Sequence, residues 1–227
     1  MKDGKSFFID TSSCIACRGC QAACKEWNQL SGGKTVNRGT PQNPEDFNYN
    51  TWKLVRFTEV NDEKLRWNFF PDQCRHCLEP ACKKASDKKV RGAIERDEAT
   101  GAVIFNPEIR VRPSDFKDIR EACPYDIPRI DLKQGKMAFC NMCIDRIREG
   151  SLPACVKICP TGAMNFGERK AMLDLANRKV AEAKAERQKA ILTDPDSTRV
   201  IFLLVDDPEN YHELAVADQK ALVSHCD

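Results

Sequence analysis

The chain has 227 residues, with 36 lysines and arginines against 34 aspartates and glutamates, so its formal net charge is +2. This length is sufficient for one large or two small domains with a buried core. The balanced charge excludes a strongly basic surface of the kind that binds nucleic acid. Thirteen cysteines are too few for a small domain held by disulfides, yet far above ordinary usage.

Neither a membrane span nor an export signal is predicted. The longest apolar run, residues 200–205, is much shorter than the roughly 20 residues of a spanning helix. The N-terminal residues MKDGKSFFIDTSSC contain no apolar stretch of signal-peptide length and no twin arginine. We therefore expect a soluble chain that leaves the cytoplasm only when it is bound to another protein.

Short strands and loops are predicted before the middle of the chain. A strand over residues 7–10 leads into the first cysteines, and the polar residues 31–50 form a long loop. Aromatic and β-branched residues predict strands over 51–60 and 65–70, joined by a turn at Asn61-Asp62.

The later elements include a second hairpin and a helical tail. Residues 93–96 and 102–105 form the predicted hairpin. Apolar residues at helical spacing predict one amphipathic helix over 168–192. A buried strand over 199–205 and a helix over 208–223, with proline at its start, complete the tail. Because the tail has no clustered ligands, we expect it to serve packing or partner contact.

Twelve of the cysteines form groups with short spacing. The first group is C-x2-C-x2-C-x3-C, the second is CRHCLEPAC, a single cysteine follows in CPYDIPR, and the last group spans CNMC and ACVKICP. In chain order they are Cys14, Cys17, Cys20 and Cys24; Cys74, Cys77 and Cys82; Cys123; and Cys140, Cys143, Cys155 and Cys159.

This spacing is typical of cubane [4Fe–4S] clusters, in which three cysteines of a run bind one cluster and the fourth binds its neighbour. The predicted ligands are Cys14, Cys17, Cys20 and Cys159 for the first cluster, Cys24, Cys140, Cys143 and Cys155 for the second, and Cys74, Cys77, Cys82 and Cys123 for the third. The chain has no Gly-rich nucleotide loop and no nucleophile–base motif. It is therefore predicted to conduct electrons without an active site of its own.

A fourth cluster site is predicted to be lost. When the offsets of the first run are applied to the middle groups, four positions lack cysteine: Ser86, Pro113, Phe116 and Ile119. One site is thereby removed completely and the other is spared. Because a missing interior cluster would interrupt electron transfer, we expect the lost site at one end of the path.

Zinc or disulfides are the alternative use of these cysteines. Zinc sites commonly use paired C-x2-C motifs or add histidine, and His76, His212 and His225 form no such pattern. His76 either tunes a cluster or is a solvated loop residue, and Cys226 is expected to be a free or buried thiol.

Bound clusters would change the charge of the chain. Each oxidised cluster with four thiolates carries about −2, so three would change the formal +2 to about −4. The basic residues beside the ligands would offset this charge or are ordinary solvated side chains: Arg18, Lys25, Arg75, Lys83, Lys84 and Lys157.

The motifs CRHCLEPAC, CPYDIPR and ACVKICPTGAMNFG resemble the iron–sulfur beta subunits of molybdopterin and tungstopterin oxidoreductases. FFIDTSSCIACRGCQAACKEW is most similar to the beta subunits of soluble formate dehydrogenases. This resemblance implies a heterodimer with a large catalytic subunit, which binds the molybdenum or tungsten pterin and oxidises formate to carbon dioxide. It also implies export to the periplasm with that subunit, or else a cytoplasmic location, and a soluble acceptor such as a multihaem cytochrome c.

The pairing of the cysteine runs predicts an α+β fold with two nested ferredoxin-like modules, short strands and loops. The outer module would comprise residues 1–30 and 137–167, and the inner module residues 66–136. A loop and hairpin insertion would cover 31–65, and a C-terminal helix–strand–helix extension 168–227.

Three other functions are open at this point. The chain could serve another pterin enzyme, such as a nitrate, polysulfide, sulfoxide or arsenate reductase. It could be a zinc-binding scaffold, or a free ferredoxin-like carrier, although a carrier does not need so long a C-terminal tail.

Overall fold

The computed structural model describes residues 4–62 and 64–217. Within these ranges the chain has the predicted α+β class. The strands are β1 (Lys5–Asp10), β2 (Leu54–Asn61), β3 (Leu65–Asp72), β4 (Ile94–Arg96), β5 (Val103–Phe105), β6 (Arg129–Asp131), β7 (Lys136–Ala138), β8 (Met164–Glu168), β9 (Ile191–Leu192) and β10 (Val200–Leu204). The α-helices are α1 (Gly19–Trp27), α2 (Ala81–Lys89), α3 (Pro113–Glu121), α4 (Ile144–Arg148), α5 (Ala154–Lys157) and α6 (Arg169–Glu186).

A four-stranded sheet in the order β8-β1-β10-β9 joins the two ends of the chain. Phe7 of β1 lies opposite Val200 in the parallel pair with β10 and opposite Phe166 in the antiparallel pair with β8. Every residue of β10 is buried, as expected for a continuous apolar run covered on both faces. The strand predicted near the C-terminus is therefore confirmed, and it lies inside the main sheet.

The other strands form three separate antiparallel hairpins, β2–β3, β4–β5 and β6–β7. Both predicted hairpins are confirmed, but β2 begins at Leu54 and extends to Asn61, so Asn61 is part of the strand and the turn begins after it. Thr51 instead forms an isolated bridge with Asn48.

The predicted helix over 168–192 is too long at its C-terminal end. Helix α6 ends at Glu186, and Ile191–Leu192 form β9. Leu192 pairs with Leu203 of β10. Pairing with this buried strand outweighs the weak helical preference of the two apolar residues.

The predicted helix over 208–223 is wrong in the residues described. A short 3-10 helix, Pro208–Asn210, is followed by turns as far as Ala217. The Tyr211 ring is buried, and its hydroxyl accepts a hydrogen bond from the Val205 amide at 3.1 Å. Burying this ring against the sheet requires turns rather than a surface helix. The remainder of the predicted helix, and Cys226, lie outside the described residues.

Two apolar cores contain cysteines and a third does not. One core surrounds Cys74 and Cys82, and another, which includes Phe7 and Phe202, surrounds Cys20 and Cys155. The third lies between the sheet and α6. Within residues 4–62 and 64–217, no helix combines the length and the apolar character needed to cross a bilayer.

Candidate iron–sulfur centres

Three C-x2-C loops have a residue with left-handed backbone directly before the second cysteine. Ala16, His76 and Met142 each precede the second cysteine of a loop, and their φ angles are 52°, 46° and 62°. Such left-handed backbone is unfavourable for residues other than glycine and persists where the surroundings impose it. Turns of this kind direct neighbouring N–H groups to one side, which creates a concave site for an anion. The loops are therefore suited to surround a negatively charged group.

The thiols of Cys14, Cys17, Cys20 and Cys159, here called the first set, lie near one another. Burial raises the pKa of Cys14 to about 11, and the charges of Cys20 and Cys159 add to this effect. Burial also raises the pKa of Cys20, together with the charges of Cys17 and Cys159. The packing of α1 against α5 brings these distant parts of the chain together.

The second set consists of Cys24, Cys140, Cys143 and Cys155. Burial raises the pKa of Cys24 far above its usual range, and the charges of Cys140, Cys155 and Cys143 raise it further. Cys24 is the last cysteine of the first run, whereas the other three belong to the last group. Cys24 therefore interacts with three cysteines that are far from it in the sequence.

Cys74, Cys77, Cys82 and Cys123 form the third set. Burial raises the pKa of Cys77 to about 12, and the nearby charge of Cys123 contributes. Burial also dominates at Cys82, where the charges of Cys123 and Cys77 add to the rise in pKa. All four predicted residues are therefore close enough to interact.

The donor chemistry of the three sets fits an iron–sulfur cluster. Each set contains four thiols, and the twelve described cysteines are all free of disulfide bonds. A thiol whose burial raises its pKa stays neutral at pH 7 unless a positive group binds it, so metal binding and thiolate formation are coupled. Within the residues described, no three His, Cys, Asp or Glu side chains are arranged to hold a single metal ion.

Hydrogen bonds to sulfur reinforce this fit. The His76 amide donates to Cys74 Sγ at 3.4 Å, and the Asn28 side chain donates to Cys24 Sγ at 3.7 Å. Cys159 is the exception among the titrating thiols: burial raises its pKa, but hydrogen bonds from the backbone of Met164 and from Thr161 outweigh burial and lower it. Such bonds stabilise charged sulfur and tune reduction potentials.

His76 is fully buried, so the interpretation as a solvated loop residue is wrong. Its Nδ1 accepts a hydrogen bond from the Val103 amide at 3.0 Å, and its Nε2 is buried without a hydrogen-bond partner among the described residues. Burial lowers the pKa of His76 to about 3, and the charge of Arg199 contributes. His76 is therefore neutral at pH 7.

Arg75 is also fully buried, between Cys74 and His76 in the sequence. Its guanidinium lies 4.8–5.1 Å from the ring centres of Phe70, Tyr125 and Phe202 and is ion-paired with Asp72 at 2.6 Å. Burial raises the pKa of Cys77 and Cys123 in the third set, and the charge of Arg75 partly offsets this rise. Arg75 therefore acts on the thiols, as one of the two sequence interpretations expected.

The other predicted cations are nearer to solvent. Arg18 donates to the Pro41 carbonyl at 2.7 Å, and Lys84 lies 3.6 Å from Glu79. The full group, Arg18, Lys25, Lys83, Lys84 and Lys157, is exposed or half-buried. Solvent screens these charges, so each acts more weakly on the thiols than a buried cation does.

The positions of the predicted lost site are occupied by ordinary packing. Ser86 in α2 is buried and donates to the Val90 carbonyl at 3.1 Å. Phe116 and Ile119 in α3 are buried in the core that surrounds Cys74, and Pro113 begins α3. Apolar side chains thus fill the space between α2 and α3.

Sequence reasoning missed one residue near the thiols, Lys53. Its side chain is only 2% exposed. Burial raises the pKa of five cysteines in the first and second sets, and the charge of Lys53 partly offsets this rise: Cys14, Cys20, Cys24, Cys140 and Cys155. The available signal was a single lysine inside the strand-forming segment TWKLVRF.

Comparison with known proteins identifies the family. A 4Fe-4S dicluster domain model matches residues 65–169, which contain the third set and the last cysteine group. The formate dehydrogenase subunit beta of Megalodesulfovibrio gigas is 51% identical over 214 residues, which cover 94% of this chain and 99% of the relative. The chain belongs to the family of formate dehydrogenase iron–sulfur beta subunits.

Other members of this family are also similar. The formate dehydrogenase 2 subunit beta (cytochrome c-553) of Nitratidesulfovibrio vulgaris is 50% identical over 93% of this chain and 98% of its own. The formate dehydrogenase-O iron–sulfur subunit of Escherichia coli is 39% identical over 91% of this chain and 69% of its own. The predicted family resemblance is therefore confirmed, and the role of the chain is that of an iron–sulfur electron-transfer subunit.

Proposed function

We propose that the chain conducts electrons through three [4Fe–4S] clusters, from the pterin-containing catalytic subunit of a formate dehydrogenase to an external acceptor. The observation that carries the proposal is the grouping of twelve thiols into three sets of four, with the exchanged ligands Cys24 and Cys159. When bound, each cluster accepts and releases one electron at a time. The loops of this chain bind the clusters, bury them and supply N–H donors to sulfur.

The proposed order of the clusters follows from interactions between the sets. The charge of Cys20 in the first set acts on Cys155 in the second, and the charge of Cys140 in the second set acts on Cys74 in the third. These electrostatic interactions support an electron-transfer path in which the second set lies between the other two. In this order the lost site is not needed to connect the three sets.

The first set is the proposed side of the catalytic subunit. Cys17 is exposed, and the apolar side chains of Ile15 and Ile158 beside it are 61% and 51% exposed. Gly19 separates Cys17 from Ile158, since a Cβ built at Gly19 would lie within 4 Å of both side chains. Exposed apolar residues around a redox centre favour contact with another protein.

The acceptor and the location are proposed from relatives. The name of the Nitratidesulfovibrio vulgaris protein includes cytochrome c-553, which supports a c-type cytochrome as the acceptor of this chain; a multihaem cytochrome is one candidate. A periplasmic site of action, reached together with the catalytic subunit, agrees with such an acceptor. Reduction of candidate cytochromes by formate in the purified complex tests the first proposal, and cell fractionation tests the second.

Iron and acid-labile sulfide analysis of the anaerobically purified complex tests the cluster count. We expect about twelve irons and about twelve sulfides from this chain, after subtraction of the iron of the separately analysed catalytic subunit. That subunit should also contain molybdenum or tungsten. Zinc without iron in this chain would overturn the proposal. About eight irons would show that only two of the three sets bind a cluster and would contradict the third.

Single substitutions test the ligand sets. Cys77→Ser should remove the third cluster and reduce iron by about four atoms, because a buried serine does not replace a thiolate well. Cys226→Ser is the matched control, since this cysteine belongs to none of the groups, and should leave the iron content unchanged. Equal iron loss in both variants would contradict the assignment.

A further inference from the structure

Lys53 lies at the entrance to β2 and reaches across the hairpin. Its Nζ donates to the Pro71 carbonyl at 2.5 Å and to Gln73 Oε1 at 2.7 Å. Both acceptors are neutral and are located at the end of β3 or directly after it. The side chain is 2% exposed, so its ammonium is almost completely removed from water.

Buried arginines in the hairpin and just after it have a carboxylate partner. Arg56 and Arg75 are both ion-paired with Asp72, at 2.7 Å and 2.6 Å. Lys53, in contrast, has no carboxylate partner among the described residues. A buried ammonium without a compensating negative charge is strongly unfavourable, so this arrangement requires a negative group nearby.

The negative groups on which this charge acts are thiols of two sets. In the first set, Lys53 lowers the pKa of Cys14 and Cys20, against a larger effect of burial. In the second set it acts in the same way on Cys24, Cys140 and Cys155. The main causes of the raised pKa values in the third set do not include Lys53. The Val55 amide, two residues from Lys53, donates to Gln21 Oε1 at 3.2 Å, and Gln21 lies in α1 between Cys20 of the first set and Cys24 of the second. The start of β2 is thus held beside both sets, and the ammonium acts on both.

We propose that Lys53 is a positioning residue whose buried ammonium is the shared counter-charge of the first and second clusters and raises both of their reduction potentials. The proposal rests on the ligand sets proposed above. A positive charge stabilises a cluster more after it has accepted an electron than before. Because one ammonium acts on two clusters, it shifts both potentials in the same direction.

Lys53→Met in the complex with the catalytic subunit tests this role, because methionine has a similar length and no charge. We expect the equilibrium constant for reduction to fall about tenfold or more at two of the three clusters, a decrease of about 59 mV in midpoint potential. The third cluster should change little. The potentials are measured by redox titration followed by electron paramagnetic resonance.

Two further variants separate charge from packing. Lys53→Arg keeps the charge and should retain potentials close to those of the unmodified protein. Lys157→Met removes an exposed charge, two residues from Cys155 and from Cys159, and should cause a smaller shift that decreases at high salt. The shift in Lys53→Met should depend little on salt, because the site excludes solvent.

Several results would overturn the proposal. Unchanged potentials in Lys53→Met, or an equal shift at all three clusters, would show that Lys53 is not the counter-charge of the first two. If Lys53→Met loses iron, full iron content and normal potentials in Lys53→Arg support the charge, whereas iron loss in both indicates packing alone. The iron content of the unmodified complex is the separate test of the cluster count itself.

Discussion

The Phe7 amide donates a hydrogen bond to the Arg199 carbonyl at 2.7 Å, which connects β1 to the residue directly before β10. Arg199 immediately precedes β10, and its amide donates a hydrogen bond to the Arg75 carbonyl at 3.0 Å. The C-terminal part of the chain thus supports both the first strand and the loop of the third set. Its removal should affect cluster binding as well as stability.

Phe202→Ala is expected to destabilise the protein strongly. Phe202 is fully buried in β10, with its ring centre 4.4 Å from that of Phe70. Loss of a buried aromatic ring leaves a cavity and typically lowers the free energy of unfolding by about 3–5 kcal/mol. Thermal unfolding followed by cluster absorbance measures the effect. Trp67→Ala, at an aromatic residue that is 60% exposed, is the control and should change stability by no more than about 0.5 kcal/mol.

Asp72→Asn should be strongly destabilising despite its similar shape. Asp72 is fully buried and is the ion-pair partner of both Arg56 and Arg75. Arg56 keeps its pair with Asp46, but the buried charge of Arg75 loses its carboxylate partner, at a cost of about 3–5 kcal/mol in the free energy of unfolding. Asp174→Asn, which breaks the exposed pair with Lys170, should cost less than about 1 kcal/mol. Similar denaturant midpoints for the two variants would contradict this explanation.

The contribution of Asp72 should depend on pH in a defined direction. Burial alone would raise its pKa, but the charges of Arg75 and Arg56 outweigh burial and hold the pKa below the ordinary 3.8. The stabilisation is therefore complete above about pH 4 and is lost as the pH falls through the lower, folded-state pKa. The stability difference between the unmodified protein and Asp72→Asn should be constant from about pH 7 to pH 5 and should shrink below about pH 4. Denaturant unfolding followed by tryptophan fluorescence measures it; a difference that is already smaller at pH 5 would contradict the assignment.

Two glycines provide a matched pair for backbone and packing effects. Gly101 and Gly39 have φ angles of +77° and +80°. A Cβ at Gly101 would lie 2.1 Å from Nε of Arg199, whereas a Cβ at Gly39 would meet nothing within 4 Å. Gly39→Ala should therefore show only the conformational cost of about 1–2 kcal/mol, and Gly101→Ala a clearly larger loss. Equal melting temperatures for the two variants would mean that Arg199 moves aside freely.

Ile119→Ala tests the nature of the lost site. Ile119 is fully buried in the core around the third set, so its truncation should cost about 2–5 kcal/mol. The iron content should stay unchanged, because this position packs and does not bind iron. Cys123→Ser, four residues later, should reduce the iron content by about four atoms. Iron loss in Ile119→Ala without a change in stability would contradict this distinction.

Local patterns predicted much of the fold. The two hairpins and β10 were identifiable because apolar and β-branched residues are bounded by turn residues. The predicted end of α6 was wrong because Ile191 and Leu192 gain more from pairing with β10 than from continuing a helix. Tyr211 similarly enters the core, and the surrounding residues form turns. Both errors arise from tertiary contacts with β10 or with the residue directly after it, and the local sequence does not reveal these contacts.

The candidate ligands follow from the spacing of the cysteines, whereas the buried charges around them do not follow from the sequence. The rule that paired runs exchange one cysteine places Cys24 with the last group and Cys159 with the first. The sequence gives no comparable rule for Lys53, Arg75 and His76, because a charged or polar residue in a short motif is ordinarily solvated. Their burial depends on the hairpin β2–β3 and on the strand β10, which cover them from outside the motifs.

The parallel pairing of β1 with β10 also determines the order of events during synthesis. The N-terminal strand emerges from the ribosome first, but its partner is made only when nearly all of the described chain has been translated. Cys14, Cys17 and Cys20 are likewise synthesised long before Cys159, the fourth proposed ligand of the first cluster. Contacts so distant in sequence form slowly, so the nascent chain exposes reactive thiols for most of its translation. Insertion of the first cluster is therefore expected to follow synthesis, when the sheet can close around it.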